Sequence, residues 1–125
     1  MKIITLLTLS FLFATTALWG QEKFEGEKRF ESVGNDEFRE ALETGDYILL
    51  DTRTVKEYEE RHIEGAKLVL YNDGDMDADL KNMPKDRKYL VYCAVGVRSK
   101  VAMNRMKELG FNYVLELDKG IKEWK

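Results

Sequence analysis

The chain has 125 residues, with 23 acidic against 20 basic side chains and a formal net charge of −3. A mildly acidic chain without a basic stripe lacks the clustered Lys and Arg that neutralise phosphates, which excludes the usual electrostatic route to nucleic acid. Its single cysteine, Cys93, excludes an internal disulfide and leaves two readings: an inert buried thiol, or a free thiol kept for chemistry.

The first twenty residues read as a targeting segment. Met1 and Lys2 give a short positive start, residues 3–19 are uncharged and largely apolar, and Gln21 opens a charged stretch. This is the pattern of a secretory signal peptide over residues 1–20, with cleavage after either Ala17 or Gly20. An uncleaved anchor is the alternative, because the apolar run is near the lower limit for spanning a bilayer. No cysteine lies near the cleavage region to carry a lipid. The expectation is an exported protein, periplasmic or secreted, with no stable membrane association once the segment is removed. Its loss takes away one charged residue, Lys2, and leaves about a hundred residues, the size of one small domain.

Residues 21–29 are charged and aperiodic, which predicts a flexible lead to a single domain over residues 30–125. Residues 35–44 carry Phe38, Ala41 and Leu42 at helical spacing, with Asp36 and Glu37 in the first turn and Gly45 as a stop. The continuous apolar run Tyr47-Ile48-Leu49-Leu50 predicts a strand leading to Asp51. Thr54 and Glu57 fit a capping box that opens a short helix through Glu60. Residues 67–71 form a second apolar run, and residues 77–83 a short helix closed by Pro84. Tyr89-Leu90-Val91-Tyr92 is a third run, leading into Cys93. A helix over 99–109 places Val101, Ala102, Met106 and Leu109 on one face before Gly110. A strand over 113–115 and a helical turn over 120–124 complete the chain. Apolar runs that do not alternate belong to strands buried on both faces, and their succession with helices indicates an α/β domain with a parallel sheet.

The segment with chemical content runs from Leu90 to Ser99: strand, Cys93, a four-residue loop, Arg98, helix start. It puts a thiol at the carboxyl end of a sheet strand, where open α/β sheets place ligands. A loop curled around that sulfur aims backbone N–H groups and a helix N-terminus at it, an arrangement that favours negative charge and lowers a thiol pKa. Gly96 supplies freedom for positive φ, and Arg98 a fixed positive charge.

At these residues the chain resembles the rhodanese homology domain. The resemblance is carried by Leu50-Asp51-Thr52-Arg53, Glu57-Tyr58, His62-Ile63-Glu64-Gly65-Ala66, Cys93 through Ser99, and the ending Gly120-Ile121-Lys122-Glu123-Trp124, and it covers residues 30 to 125. Small exported rhodaneses of the phage-shock type are the most similar in plan. The resemblance implies a rhodanese-like fold, a five-stranded parallel sheet with helices on both faces. It also implies that Cys93 is the sulfur-accepting nucleophile. The backbone of Ala94, Val95, Gly96, Val97 and Arg98, continuing to Ser99, becomes the anion cradle, and Arg98 the loop charge. The implied activity moves sulfane sulfur from thiosulfate or a persulfide donor to cyanide or a thiol acceptor through a Cys93 persulfide. Small-molecule donors and acceptors are the implied partners, no metal or organic cofactor is required, and the oligomeric state is left open. The alternative within this family is a non-catalytic binding or redox-sensing module.

Two departures stand out. Ala94 replaces a position that is often polar or basic in the family, and Val95 and Val97 make the loop apolar, which turns the expectation away from a highly charged donor. Lys119 stands where the family usually has the first of two glycines. Asp51, Arg53, Glu57 and His62 are expected to fix loops rather than to act as an acid–base set, with Arg53 able to pair with Glu57. A Cys-x5-Arg phosphatase loop is disfavoured, because the spacing here is Cys-x4-Arg and the cradle is one residue smaller. A thioredoxin-like role lacks its second cysteine. The acidic stretch 73–79 fails as a calcium loop, with Ala78 and Pro84 at the positions of the required Gly and Glu.

Overall fold

Tyr47–Asp51, Lys88–Tyr92 and Tyr113–Leu117 are buried at nearly every successive position, and strands of that kind must be covered on both faces. The computed structural model, which describes residues 24–72 and 74–125, solves this with a five-stranded parallel sheet. Its strands are β1 (Arg29–Val33), β2 (Tyr47–Asp51), β3 (Lys67–Leu68), β4 (Lys88–Tyr92) and β5 (Tyr113–Leu117), in the spatial order β1-β5-β4-β2-β3. The helices are α1 (Asn35–Thr44), α2 (Val55–Glu60), α3 (Asp75–Lys81) and α4 (Val97–Glu108), and a 3-10 turn over Ile121–Glu123 closes the chain.

Successive strand residues alternate between two apolar layers. Leu49, Leu90, Tyr92, Leu115 and Leu117 pack with Phe38 and Ala41 of α1 and with Ile121 of the closing turn. Ile48, Leu50, Tyr89, Val91 and Val114 pack on the other face with Leu80 of α3 and with Met103 and Met106 of α4. The α/β architecture with helices on both faces is the one expected from the uninterrupted apolar runs.

Element boundaries differ where a strand loses its partner or a glycine intervenes. The run over 67–71 pairs with β2 only at Lys67 and Leu68. The Val69 N–H makes one more bond, to the Asp51 carbonyl at 2.8 Å, and beyond Asp51 the β2 chain turns away and offers nothing further. Helix α4 begins at Val97, two residues before the expected start, because Gly96 at φ 90° ends the loop in one step. Strand β5 continues two residues past Leu115, to Leu117. Strand β1 begins inside the expected flexible lead, at Arg29, whose N–H bonds to the Asn112 carbonyl at 3.0 Å. Phe24 is tied down as well: its N–H donates to Asp86 O at 2.6 Å, and its ring meets Tyr113 edge-on at 5.0 Å. Residues 21–23 of that lead and the signal segment 1–20 lie outside the described residues.

Leu90 lies in the central strand and is fully buried. Leu90→Ala should destabilise the domain by about 2–5 kcal/mol through lost transfer energy and the cavity left behind. Denaturant unfolding that showed a far smaller change would mean that the layer collapses around the site.

Candidate active site

Cys93 follows the last residue of β4 and is fully buried. Hydrogen-bonding groups of the following loop and helix start surround its sulfur. The Gly96 N–H donates to Sγ at 3.2 Å, and the Ser99 hydroxyl lies 3.3 Å away, in a pair where either atom can donate. Burial by itself pushes the Cys93 thiol up and is the largest single influence. The Ser99 hydroxyl and the backbone N–H groups of Ser99, Val95 and Gly96 together outweigh it, and the thiol falls below its ordinary value.

Glycines permit this geometry at two points. Gly96 has φ 90°, and a side chain there would also run into the Asp118 carbonyl. Gly120 has φ 70°, and a Cβ on it would overlap the Ala94 carbonyl and the Val95 nitrogen. With no side chain in the way, the closing turn clasps the sulfur loop. The Ile121 N–H donates to Cys93 O at 2.9 Å and the Lys122 N–H to Ala94 O at 3.1 Å. Lys119, where the resembled family has a glycine, is not strained, since every positive φ among the described residues belongs to glycine.

Of the cradle residues, Val95 and Val97 face solvent, Ala94 is half-buried, and Gly96 and Ser99 are buried. Arg98 does not lie free at the mouth of the loop. Its guanidinium makes a two-point contact with Glu57, Nη1–Oε1 and Nη2–Oε2 both at 2.8 Å. That contact, against the opposing influence of burial, holds the Glu57 carboxyl down to about 2. Glu57 also completes the capping box, with its N–H bonded to Thr54 Oγ1 at 3.2 Å. One carboxylate therefore ties the start of α2 to the start of α4.

The expected Arg53–Glu57 pair does not form. The Arg53 Nε donates to Asp51 Oδ1 at 2.9 Å and its Nη2 to Oδ2 at 2.7 Å, because the two side chains leave the same turn two residues apart and both are buried. The Tyr92 hydroxyl donates to Asp51 Oδ2 at 2.8 Å and accepts from the Ile63 N–H at 3.0 Å. His62 is exposed, with its ring stacked on Tyr58 at 3.8 Å and its Nδ1 2.8 Å from Tyr58 O. These residues brace the loops around Cys93 and make no contact with its sulfur.

A further group, not singled out from the sequence, reaches the site through Ser99. Glu116 on β5 is fully buried, and its Oε1 lies 3.2 Å from Ser99 Oγ and 3.2 Å from Lys100 Nζ. Its signal in the sequence was a lone acid inside an apolar strand run, which reads equally as the end of the strand.

Comparison with known proteins bears on the family and the fold. A family model described as a rhodanese-like domain matches residues 34–125. The "Probable adenylyltransferase/sulfurtransferase MoeZ" of Mycobacterium tuberculosis is 37% identical over 92 residues, covering 70% of this chain and 23% of that protein. A tRNA uridine(34) hydroxylase of Bdellovibrio bacteriovorus is 30% identical over 82 residues, covering 63% of this chain and 23% of that one. The chain thus spans about a quarter of the length of these two relatives. A rhodanese-related protein from Thermoplasma volcanium superposes with a TM-score of 0.67 at 26% identity, over 76% of this chain and 90% of that one.

The Glu57–Arg98 contact should appear in the acid stability of the domain. The folded Glu57 carboxyl titrates at about 2, against 4.5 for the unperturbed group. Between those values the unfolded chain binds more protons than the folded one, so stability contributed above pH 4.5 is lost as the pH falls towards 2. Glu57→Gln should flatten the fall over that window, as measured by denaturant midpoints against pH. A slope equal to that of the wild type would show that the contact does not persist in solution.

Proposed function

The chain belongs to the rhodanese-like domain family, and on that premise we propose that it is a sulfurtransferase whose sulfur carrier is Cys93. The observation that carries this reading is the sulfur itself, buried at the end of β4 with the Gly96 N–H and the Ser99 hydroxyl on it and its pKa lowered. Such a setting supports a thiolate nucleophile. The thiolate attacks the outer sulfur of a sulfane donor. A new S–S bond forms to Cys93 while the donor's own bond to that sulfur breaks, and sulfite or a thiolate leaves with the electron pair. Cyanide or a thiol acceptor then attacks the outer sulfur of the persulfide, and the S–S bond breaks to return the Cys93 thiolate. The two steps are electronically balanced and need no outside oxidant.

Two features favour an organic persulfide over a small, highly charged donor. The outer surface of the loop is apolar, with Val95 49% and Val97 66% exposed. The charge of Arg98 is engaged by Glu57 and is therefore less available to a free anion. The apolar, uncharged run over residues 3–19 supports export, so the proposal places this transfer outside the cytoplasm. N-terminal sequencing of protein from its host should begin at Leu18 or at Gln21, and a start at Met1 would overturn that placement.

Incubation with glutathione persulfide, and with thiosulfate in parallel, should add the mass of one sulfur atom per chain. Cyanide should remove it as thiocyanate. Cys93→Ser should abolish the adduct while leaving the fold intact, because a serine hydroxyl remains protonated where a thiol ionises. An adduct that persists in the serine variant, or none with either donor, would overturn the assignment.

A further inference from the structure

Glu116 occupies the face of β5 turned towards α4, the layer in which Val114 packs. It is fully buried, its Oε1 contacts Ser99 Oγ and Lys100 Nζ at 3.2 Å each, and its Oε2 has no hydrogen-bond partner among the described residues. Ser99 Oγ is in turn 3.3 Å from Cys93 Sγ. A carboxyl, a hydroxyl and a thiol are thus linked by consecutive contacts inside the protein.

Hydrogen counting restricts what this chain of contacts can be. A hydroxyl donates one hydrogen, and an ionised thiolate and an ionised carboxylate are both acceptors only. Ser99 cannot donate to both. With both groups ionised neither could supply the missing hydrogen, and when Cys93 and Glu116 share a single proton two arrangements satisfy both contacts. In one, the Cys93 S–H donates to Ser99 Oγ and the Ser99 O–H donates to an ionised Glu116. In the other, the Glu116 carboxylic acid donates to Ser99 Oγ and the Ser99 O–H donates to a Cys93 thiolate. They differ by a shift of one proton, from Sγ to Oγ and from Oγ to Oε1, with no proton gained or lost.

The surroundings of Glu116 favour the second arrangement. A buried ionised oxygen without a donor costs more than a neutral carbonyl in the same place; Oε2 has no donor within hydrogen-bond distance among the described residues, and the Ser32 hydroxyl only partly offsets its burial. The groups that oppose this are few. Lys100 faces Glu116 from α4, but its side chain is 43% exposed and its ammonium is shared with Asp118 Oδ1 at 3.0 Å and Gly96 O at 3.1 Å. Ser32 lies beside it in register on β1, and Val91 of β4 adds no charge. Burial raises the Glu116 carboxyl above the ordinary carboxylate range, with Lys100, Ser99 and Ser32 pulling the other way.

We propose that Glu116 is a positioning residue that takes up the Cys93 proton through the Ser99 hydroxyl, so that the thiolate forms by an internal proton shift. The inference deepens the reading of Cys93 as a nucleophile and rests on it, but its measurements do not involve sulfur transfer, so each can fail without the other.

Infrared spectra of the whole protein at neutral pH should contain a carbonyl band from a protonated carboxyl group that is missing in Glu116→Gln. The pH at which that band disappears should fall by about one unit or more when Cys93 is alkylated or replaced in Cys93→Ser, because the neighbouring negative charge is then gone and the two groups no longer titrate as a pair. If Glu116→Gln does not fold, the difference spectrum between alkylated and free wild-type protein isolates the same band. Absence of a protonated carboxyl at neutral pH, or a band whose titration is indifferent to blocking Cys93, would overturn the proposal.

Discussion

A sulfur anion removed from water survives only where fixed donors replace the solvent it has lost, and the parts of this domain converge on that requirement at Cys93. Strand β4 carries the residue to the carboxyl end of the sheet, and Gly96 turns the chain in one step so that α4 begins beside the sulfur. The Gly96 N–H and Ser99 hydroxyl then lie 3.2 and 3.3 Å from Sγ. The loop does not hold this shape alone. The last turn of the chain bonds to the carbonyls of Cys93 and Ala94, so those acceptors are satisfied from outside and the loop N–H groups are left to face inward.

The charged groups around the site are matched with one another rather than with the sulfur. Asp51 accepts from Arg53 and Tyr92, and Glu57 engages Arg98 at two points. The Asp51 pair is buried and the Glu57 pair half-buried; buried pairs are weak sources of net stability, but breaking one leaves an uncompensated charge. Their effect here is geometric: Tyr92–Asp51 and Arg98–Glu57 join separate elements and limit how far the loops beside Cys93 can move. What lowers the thiol against its burial is therefore a set of neutral donors close to it, which are less sensitive to salt than a distant charge.

Glu116 is the exception to an otherwise apolar layer. Ile48, Leu50, Val91 and Val114 line the same face of the sheet, and in register Glu116 lies between Val91 of β4 and Ser32 of β1. Replacing it with an aliphatic residue would satisfy the packing pattern of the strand, so its presence is a cost that hydrophobic burial does not account for. Its contact with Ser99 gives that cost a chemical counterpart at the proposed sulfur carrier.

Much of this protein was legible in the sequence because the decisive signals are local. Apolar runs without alternation specify strands covered on both faces, Thr54 with Glu57 specifies a helix start, and Cys93 directly after an apolar run specifies a thiol at a strand end. Elements held by distant partners were not legible in the same way. Arg29–Val33 is mostly exposed or half-buried and becomes a strand only by pairing with β5, 84 positions further on. The run over 67–71 looks like a full strand, yet it pairs at two residues because β2 ends. The partners of charges also depend on approach in space. Arg53 and Glu57 are close in sequence and remain apart, whereas Arg98 reaches Glu57 across 41 positions. Glu116 read as the end of a strand until β5 was seen to carry it beside Ser99. Local pattern is set by each residue and its immediate neighbours, whereas which donor meets which acceptor is decided only when the sheet closes and brings β1, β4, β5 and α4 together.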